Sequence, residues 1–191
     1  TRWALPENEY ALADSGTRVL LFDDAFAEQA QALADGGADA LVVETMSDPA
    51  EAQIAVEAAK QTGLAVVACM VFDSGKDHDR TMMGTKPEEA AAQLAEAGAD
   101  AVGANCGTGI ESYISICKRM HQTVDLPIWI KPNAGVPTIV DGRTVYQTTP
   151  AEFTVSVGKL LDAGAAFVGG CCGTSPAFIR AVAELFHNRV S

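Results

Sequence analysis

Short apolar runs alternate along this chain with longer stretches whose apolar positions recur every three or four residues. The runs are "ALVVET" (40–45), "LAVVACMVF" (64–72), "AVGANC" (101–106), "LPIWI" (126–130) and "AAFVGG" (165–170). None of them alternates with polar residues, which predicts strands of a parallel sheet buried on both faces. The intervening stretches predict helices over about 22–34, 48–61, 85–97, 110–121, 150–163 and 176–187. Asp48-Pro49, Thr149-Pro150 and Ser175-Pro176 each read as an N-cap residue followed by proline in the first turn. Thr85 opens another helix in the same manner, with Pro87 and two glutamates in its first turn. Asp23 or Asp24 stands near the start of the first helix. The pattern is α/β: five parallel strands alternating with helices.

A repeat sharpens this reading. "ALADGGADALVVET" (32–45), "QLAEAGADAVGANC" (93–106) and "LLDAGAAFVGGCC" (160–172) share one grammar. A helix ends, a Gly-Ala step follows, an apolar run comes next, and a chemically capable residue closes the unit. The glycines at 37, 98 and 164 are expected to end their helices in the left-handed conformation. The spacing between them holds two βα units each, at about 30 residues per unit, so the remaining two strands fall inside the intervals. Two architectures fit: an open doubly wound sheet, or part of a (β/α)₈ barrel. A whole barrel takes about 250 residues, more than the 191 present. No G-x-G-x-x-G follows the first strand, which weighs against a dinucleotide site.

Composition narrows the function. The net charge of −12 repels a phosphate backbone, so no nucleic-acid partner is expected. No apolar run reaches the ~18 residues of a membrane span, and residues 1–10 lack the basic and apolar regions of a signal peptide. The expectation is a cytoplasmic protein with no membrane partner. The five cysteines are Cys69, Cys106, Cys117, Cys171 and Cys172. Adjacent cysteines rarely bond to each other, because the ring they would close is strained. Metal binding or catalysis suits an intracellular chain better.

Both architectures place chemistry at the carboxyl ends of the strands. Glu44, Cys106 and the Cys171–Cys172 pair all fall there, on alternate strands, and alternate barrel strands feed one layer. Three thiols converging from two strands suggest zinc, with the fourth position open as in a catalytic site. Gly169, Gly170 and Gly173 would let both adjacent cysteines reach one ion. The competing reading is two small cysteines packed beneath a tight turn. Cys69 and Cys117 read as core residues. Glu44 is either a solvated strand-end carboxylate or a ligand for a substrate amine. Asn133, in "KPNAG", is either a turn former or a donor lining the mouth of the site. His78, His121 and His187 lack metal-ligand spacing and read as surface residues. "FDSGKDHDRTMMGT" (72–85) reads as a mobile lid or a plain excursion.

These stretches resemble the homocysteine S-methyltransferase family, most closely the homocysteine-binding module of its cobalamin-dependent branch. The resemblance is carried by "EQAQALADGGADALVVET", "GADAVGANCGTG", "IKPNAGVP", "DGRTVYQTTPAEF" and "VGGCCGTSP", in family order over about residues 24–187. It implies a TIM barrel in which Cys106, Cys171 and Cys172 bind one Zn²⁺. Homocysteine sulfur takes the open position and Glu44 holds its amine. The implied product is methionine, and the implied methyl donor is methylcobalamin on a corrinoid protein. The family's chain begins with about three more βα units, and residues 1–20 read as an atypical N-terminal segment that matches none of them. Residues 21–191 therefore read as an incomplete, five-eighths barrel. Either the chain is a fragment of a longer protein, or a complementary chain or homo-oligomer supplies the rest of the barrel as a partner. A corrinoid-linked demethylase of a small methylated amine or ether, and a non-catalytic subunit completing a barrel, stand as alternatives on the same fold.

Overall fold

The structure, a computed structural model, describes residues 19–22 and 27–190. In chain order the elements are β1 (Val19–Phe22), α1 (Ala27–Asp35), β2 (Ala40–Met46), α2 (Pro49–Lys60) and β3 (Ala65–Met70). Then come α3 (Pro87–Glu96), β4 (Ala101–Cys106), α4 (Ile110–His121), β5 (Ile128–Pro132) and a hairpin of β6 (Thr138–Val140) and β7 (Arg143–Val145). The chain continues through α5 (Pro150–Asp162), β8 (Ala165–Val168) and α6 (Pro176–Val190).

The six-stranded sheet has the order β1-β2-β3-β4-β5-β8, and every neighbouring pair is parallel. The strands thus follow one another in chain order with no reversal. A doubly wound sheet reverses its order at a switch point, so the winding is that of a barrel. Among the described residues the sheet has two edges, β1 and β8.

The five expected strands are present, and β1 adds a sixth. Phe22 belongs to that strand and not to the expected helix over 22–34, which begins at Ala27. "VLLF" is an apolar run that pairs residue for residue with Ala40 to Val43, and strand pairing outweighs its helical spacing. Asp23 and Asp24 lie outside the described residues, as do residues 1–18 of the atypical N-terminal segment. A second correction concerns α3. Its N-cap is Lys86, not Thr85, and the Lys86 N–H donates to Glu89 at 3.0 Å. Thr85 instead donates its N–H to Thr81 Oγ1 at 3.2 Å, closing the preceding loop.

Alternation along each strand separates two faces. Leu41, Val43, Val66, Ala68, Met70, Val102, Ala104, Ile128 and Ile130 pack under the helices in one continuous core. Val42, Val67, Cys69 and Ala101, with Trp129 against them, form a small second cluster on the opposite, inner face. Gly103 lies on that inner face, where a Cβ would sit 1.7 Å from the Trp129 carbonyl oxygen. No larger residue fits there without moving β5. The three marker glycines end their helices with φ of 92°, 96° and 103° at Gly37, Gly98 and Gly164, as the repeat predicts. No helix among the described residues is long and apolar enough to cross a membrane.

Candidate metal centre

The thiols of Cys106, Cys171 and Cys172 converge, with all three sulfurs within 4.8 Å of one another. Cys171 Sγ and Cys172 Sγ are 4.0 Å apart. Tetrahedral thiolates at ~2.3 Å from zinc stand about 3.8 Å from each other, so the set is close to binding geometry. Among the described residues this is the group of three or more His, Cys, Asp and Glu side chains able to hold a metal.

Several local devices bring the sulfurs together. β4 ends in a left-handed step at Cys106 (φ 65°) and Gly107 (φ 68°), a conformation that costs a cysteine ~1 kcal/mol or more. The buried Tyr113 props this turn by donating its hydroxyl to the Asn105 carbonyl at 2.7 Å. On the other side, Cys171 N–H donates to Pro132 O and Ala134 N–H to Cys172 O, each at 2.9 Å. These bonds stitch the Cys171–Cys172 turn to the end of β5. The flanking glycines answer a need for space. A Cβ at Gly173 would meet the Tyr146 ring at 2.2 Å, and one at Gly169 would meet the Lys131 stem at 3.1 Å.

Two asparagines organise the cluster. Asn133 is buried. Its Nδ2 donates to Gly107 O at 2.7 Å and lies 3.6 Å from Cys106 Sγ, and its Oδ1 accepts from Cys172 N–H at 2.9 Å. The side chain thus spans both cysteine turns from beneath. Asn105, fully buried, was not singled out in the sequence. Its Oδ1 accepts from Thr45 N–H at 2.7 Å, and its Nδ2 donates to Thr45 Oγ1 and stands 4.0 Å from Cys171 Sγ. Asn105 therefore ties the end of β2 to the cysteines. The only sequence signal for this was its place beside Cys106.

Partial removal from water, followed by the neighbouring Cys171 and Cys106 thiols, pushes the Cys172 thiol up to about 11. Three thiolates do not share this space without a compensating cation, so the donor set fits a divalent ion. Cys69 and Cys117 are buried elsewhere.

Glu44 faces inward from β2 and does not join the cluster. Its Oε2 accepts from Lys131 Nζ at 2.7 Å. The histidines hold no place near the thiols: His78 and His187 turn a ring nitrogen to backbone carbonyls. The loop over 72–85 is pinned outside the sheet, because Arg119 of α4 binds Asp79 at 2.6 Å and Glu88 at 2.7 Å.

A sheet wound in one direction, with its polar groups gathered at the strand ends, defines a TIM-barrel-type α/β protein carrying a three-thiol cluster. Residues 9–186 match the family model described as homocysteine S-methyltransferase, and the chain belongs to that family. It is 29% identical over 176 residues to the methionine synthase of Mycobacterium tuberculosis, covering 90% of this chain and 15% of that protein. It is 33% identical over 159 residues to homocysteine S-methyltransferase 4 of Zea mays, covering 81% of this chain and 46% of that one. The chain thus spans less than half the length of these two relatives. The fold matches the homocysteine methyltransferase MmuM of Escherichia coli in its apo form, with a TM-score of 0.68 and 23% identity over 94% of this chain and 68% of that one.

Proposed function

We propose that this chain carries the zinc-binding and homocysteine-binding part of a methyltransferase that converts homocysteine to methionine. The observation that carries this reading is the meeting of three sulfurs within 4.8 Å at the ends of β4 and β8. Cys106, Cys171 and Cys172 are the proposed ligands, and Asn133 and Asn105 orient them as outer hydrogen-bond partners do in metal sites. A zinc ion held there supplies the positive charge that keeps the homocysteine thiol deprotonated at neutral pH, where a free thiol of pKa near 8.5 is mostly protonated. Cys172 is exposed, and Cys106 and Cys171 are half-buried; a small thiol therefore has access from the strand-end side. Glu44 holds the substrate amine.

The reaction is a displacement. The homocysteine sulfur attacks the methyl carbon in line, an S–CH₃ bond forms, and the donor leaves with the electron pair of its broken bond to carbon. The proposed donor is a methylated corrinoid on a separate module. The residues described here contribute by position and by a fixed charge pattern.

Metal content tests the reading. The purified chain should hold one zinc, and the double variant Cys171→Ser, Cys172→Ser should hold less than about a tenth of that while keeping its circular dichroism. Stoichiometric zinc in the double variant would sink the proposal.

A further inference from the structure

The hairpin of β6 and β7 follows the carboxyl end of β5, and all of its strand residues are exposed. The next residue, Tyr146, breaks this pattern: it is half-buried and packs against the core. Its ring lies on Gly173, where an added Cβ would fall 2.2 Å from it. Gly173 directly follows Cys172 and has a φ of 80°. The Tyr146 hydroxyl also hydrogen-bonds the Cys172 side chain.

The two legs of the hairpin therefore grip one turn. On the entering leg, Asn133 Oδ1 accepts from Cys172 N–H and Ala134 N–H donates to Cys172 O, each at 2.9 Å. On the leaving leg, Tyr146 covers Gly173 and reaches the Cys172 sulfur. The legs also press on each other, since a Cβ at Gly135 would stand 2.9 Å from Thr148 Oγ1. The backbone grip fixes where Cys172 lies. The phenol acts on the sulfur itself, and as a neutral donor it favours the thiolate.

Cys172 has a chemical need for such a partner. It is exposed while Cys106 and Cys171 are half-buried, so it is the ligand sulfur most open to an electrophilic methyl group. If it attacked that carbon, a new S–CH₃ bond would form and the donor would leave with the electron pair of its broken bond. The thiolate would become a neutral thioether, and the site would lose one of its three negative charges. A hydrogen bond donated to a thiolate draws on its lone pair and lowers its nucleophilicity.

We infer that Tyr146 is a positioning residue whose ring fixes the Cys172–Gly173 turn and whose hydroxyl holds the Cys172 sulfur back from alkylation. The inference rests on the reading of the cluster as a zinc site. It adds to that reading a means of sending the methyl group to a substrate sulfur and not to a ligand sulfur.

Iodoacetamide, a small electrophile, separates the hydroxyl from the ring. The zinc-loaded wild type, Tyr146→Phe and Tyr146→Leu are each treated with it, and the alkylation of each cysteine is followed by peptide mass spectrometry. Zinc affinity is measured alongside by chelator competition. Tyr146→Phe keeps the ring and should hold zinc within about threefold of wild type, while Cys172 is alkylated about five- to tenfold faster and Cys106 and Cys171 are not. Tyr146→Leu should in addition weaken zinc by about tenfold. Retained zinc in Tyr146→Phe also reports that the variant is folded. An unchanged Cys172 rate in Tyr146→Phe would overturn the inference, and so would an equal rise at all three cysteines, which marks a general loosening. Loss of zinc from Tyr146→Phe, or undiminished zinc affinity in Tyr146→Leu, would overturn it as well, because the ring would then not be what fixes the turn. A wild-type chain that holds no zinc would instead remove the zinc site itself.

Discussion

Cys69 and Cys117 lie in the packed interior, whereas Cys106, Cys171 and Cys172 meet at the carboxyl ends of β4 and β8. One residue type serves two purposes because its surroundings differ. Cys117 sits under α5, its sulfur 3.9 Å from Leu160 O and 3.8 Å from Ala163 O, and burial pushes its thiol up to about 12. Cys69 is raised further, first by burial and then by the Glu44 charge. These thiols stay protonated and act as small apolar groups. At the strand ends partial removal from water is joined by the neighbouring thiols, and a cation would offset both. The comparison teaches that a cysteine's function here follows from whether its neighbours are hydrocarbon or sulfur.

The division can be broken most forcefully from the core side. Phe153 is fully buried and meets Phe178 edge-on at 5.3 Å. Phe153→Ala is expected to cost about 3–5 kcal/mol of stability, read by denaturant unfolding, with zinc per folded chain unchanged. Loss of zinc from the chain that remains folded would erase the separation between the two regions. Asn133 sharpens the comparison from the other side. Asn133→Ala should lower zinc affinity by about 10- to 100-fold in a chelator competition, because both cysteine turns lose their shared partner. Unaltered affinity would mean that the backbone alone sets the sulfurs. The smallest effect is expected at Cys117. Cys117→Ala should cost about 1 kcal/mol and leave zinc binding untouched.

The residues that punctuate the chain made much of this fold legible. Pro49, Pro87, Pro150 and Pro176 each open a helix, and Gly37, Gly98 and Gly164 each close one. Their effects are local, so the chain states them directly. The thiol cluster was legible because Cys106 and Cys171–Cys172 stand at equivalent ends of a repeat. Phe22 misled, since its helical spacing is real but its partners lie across the sheet in β2. The β6–β7 hairpin was missed, although Asp141-Gly142 is its turn, with φ of 49° and 73°. Such a dipeptide between apolar residues is itself a hairpin signal. Asn105 and Lys131 were not singled out because their roles depend on partners 60 and 87 residues away. No local pattern records such distances.

X-ray absorption at the zinc edge tests the central claim most directly. The zinc-loaded chain should show three sulfur neighbours at ~2.3 Å, and homocysteine should raise the count to four. Fewer than three sulfurs, or a count that homocysteine leaves unchanged, would contradict the account.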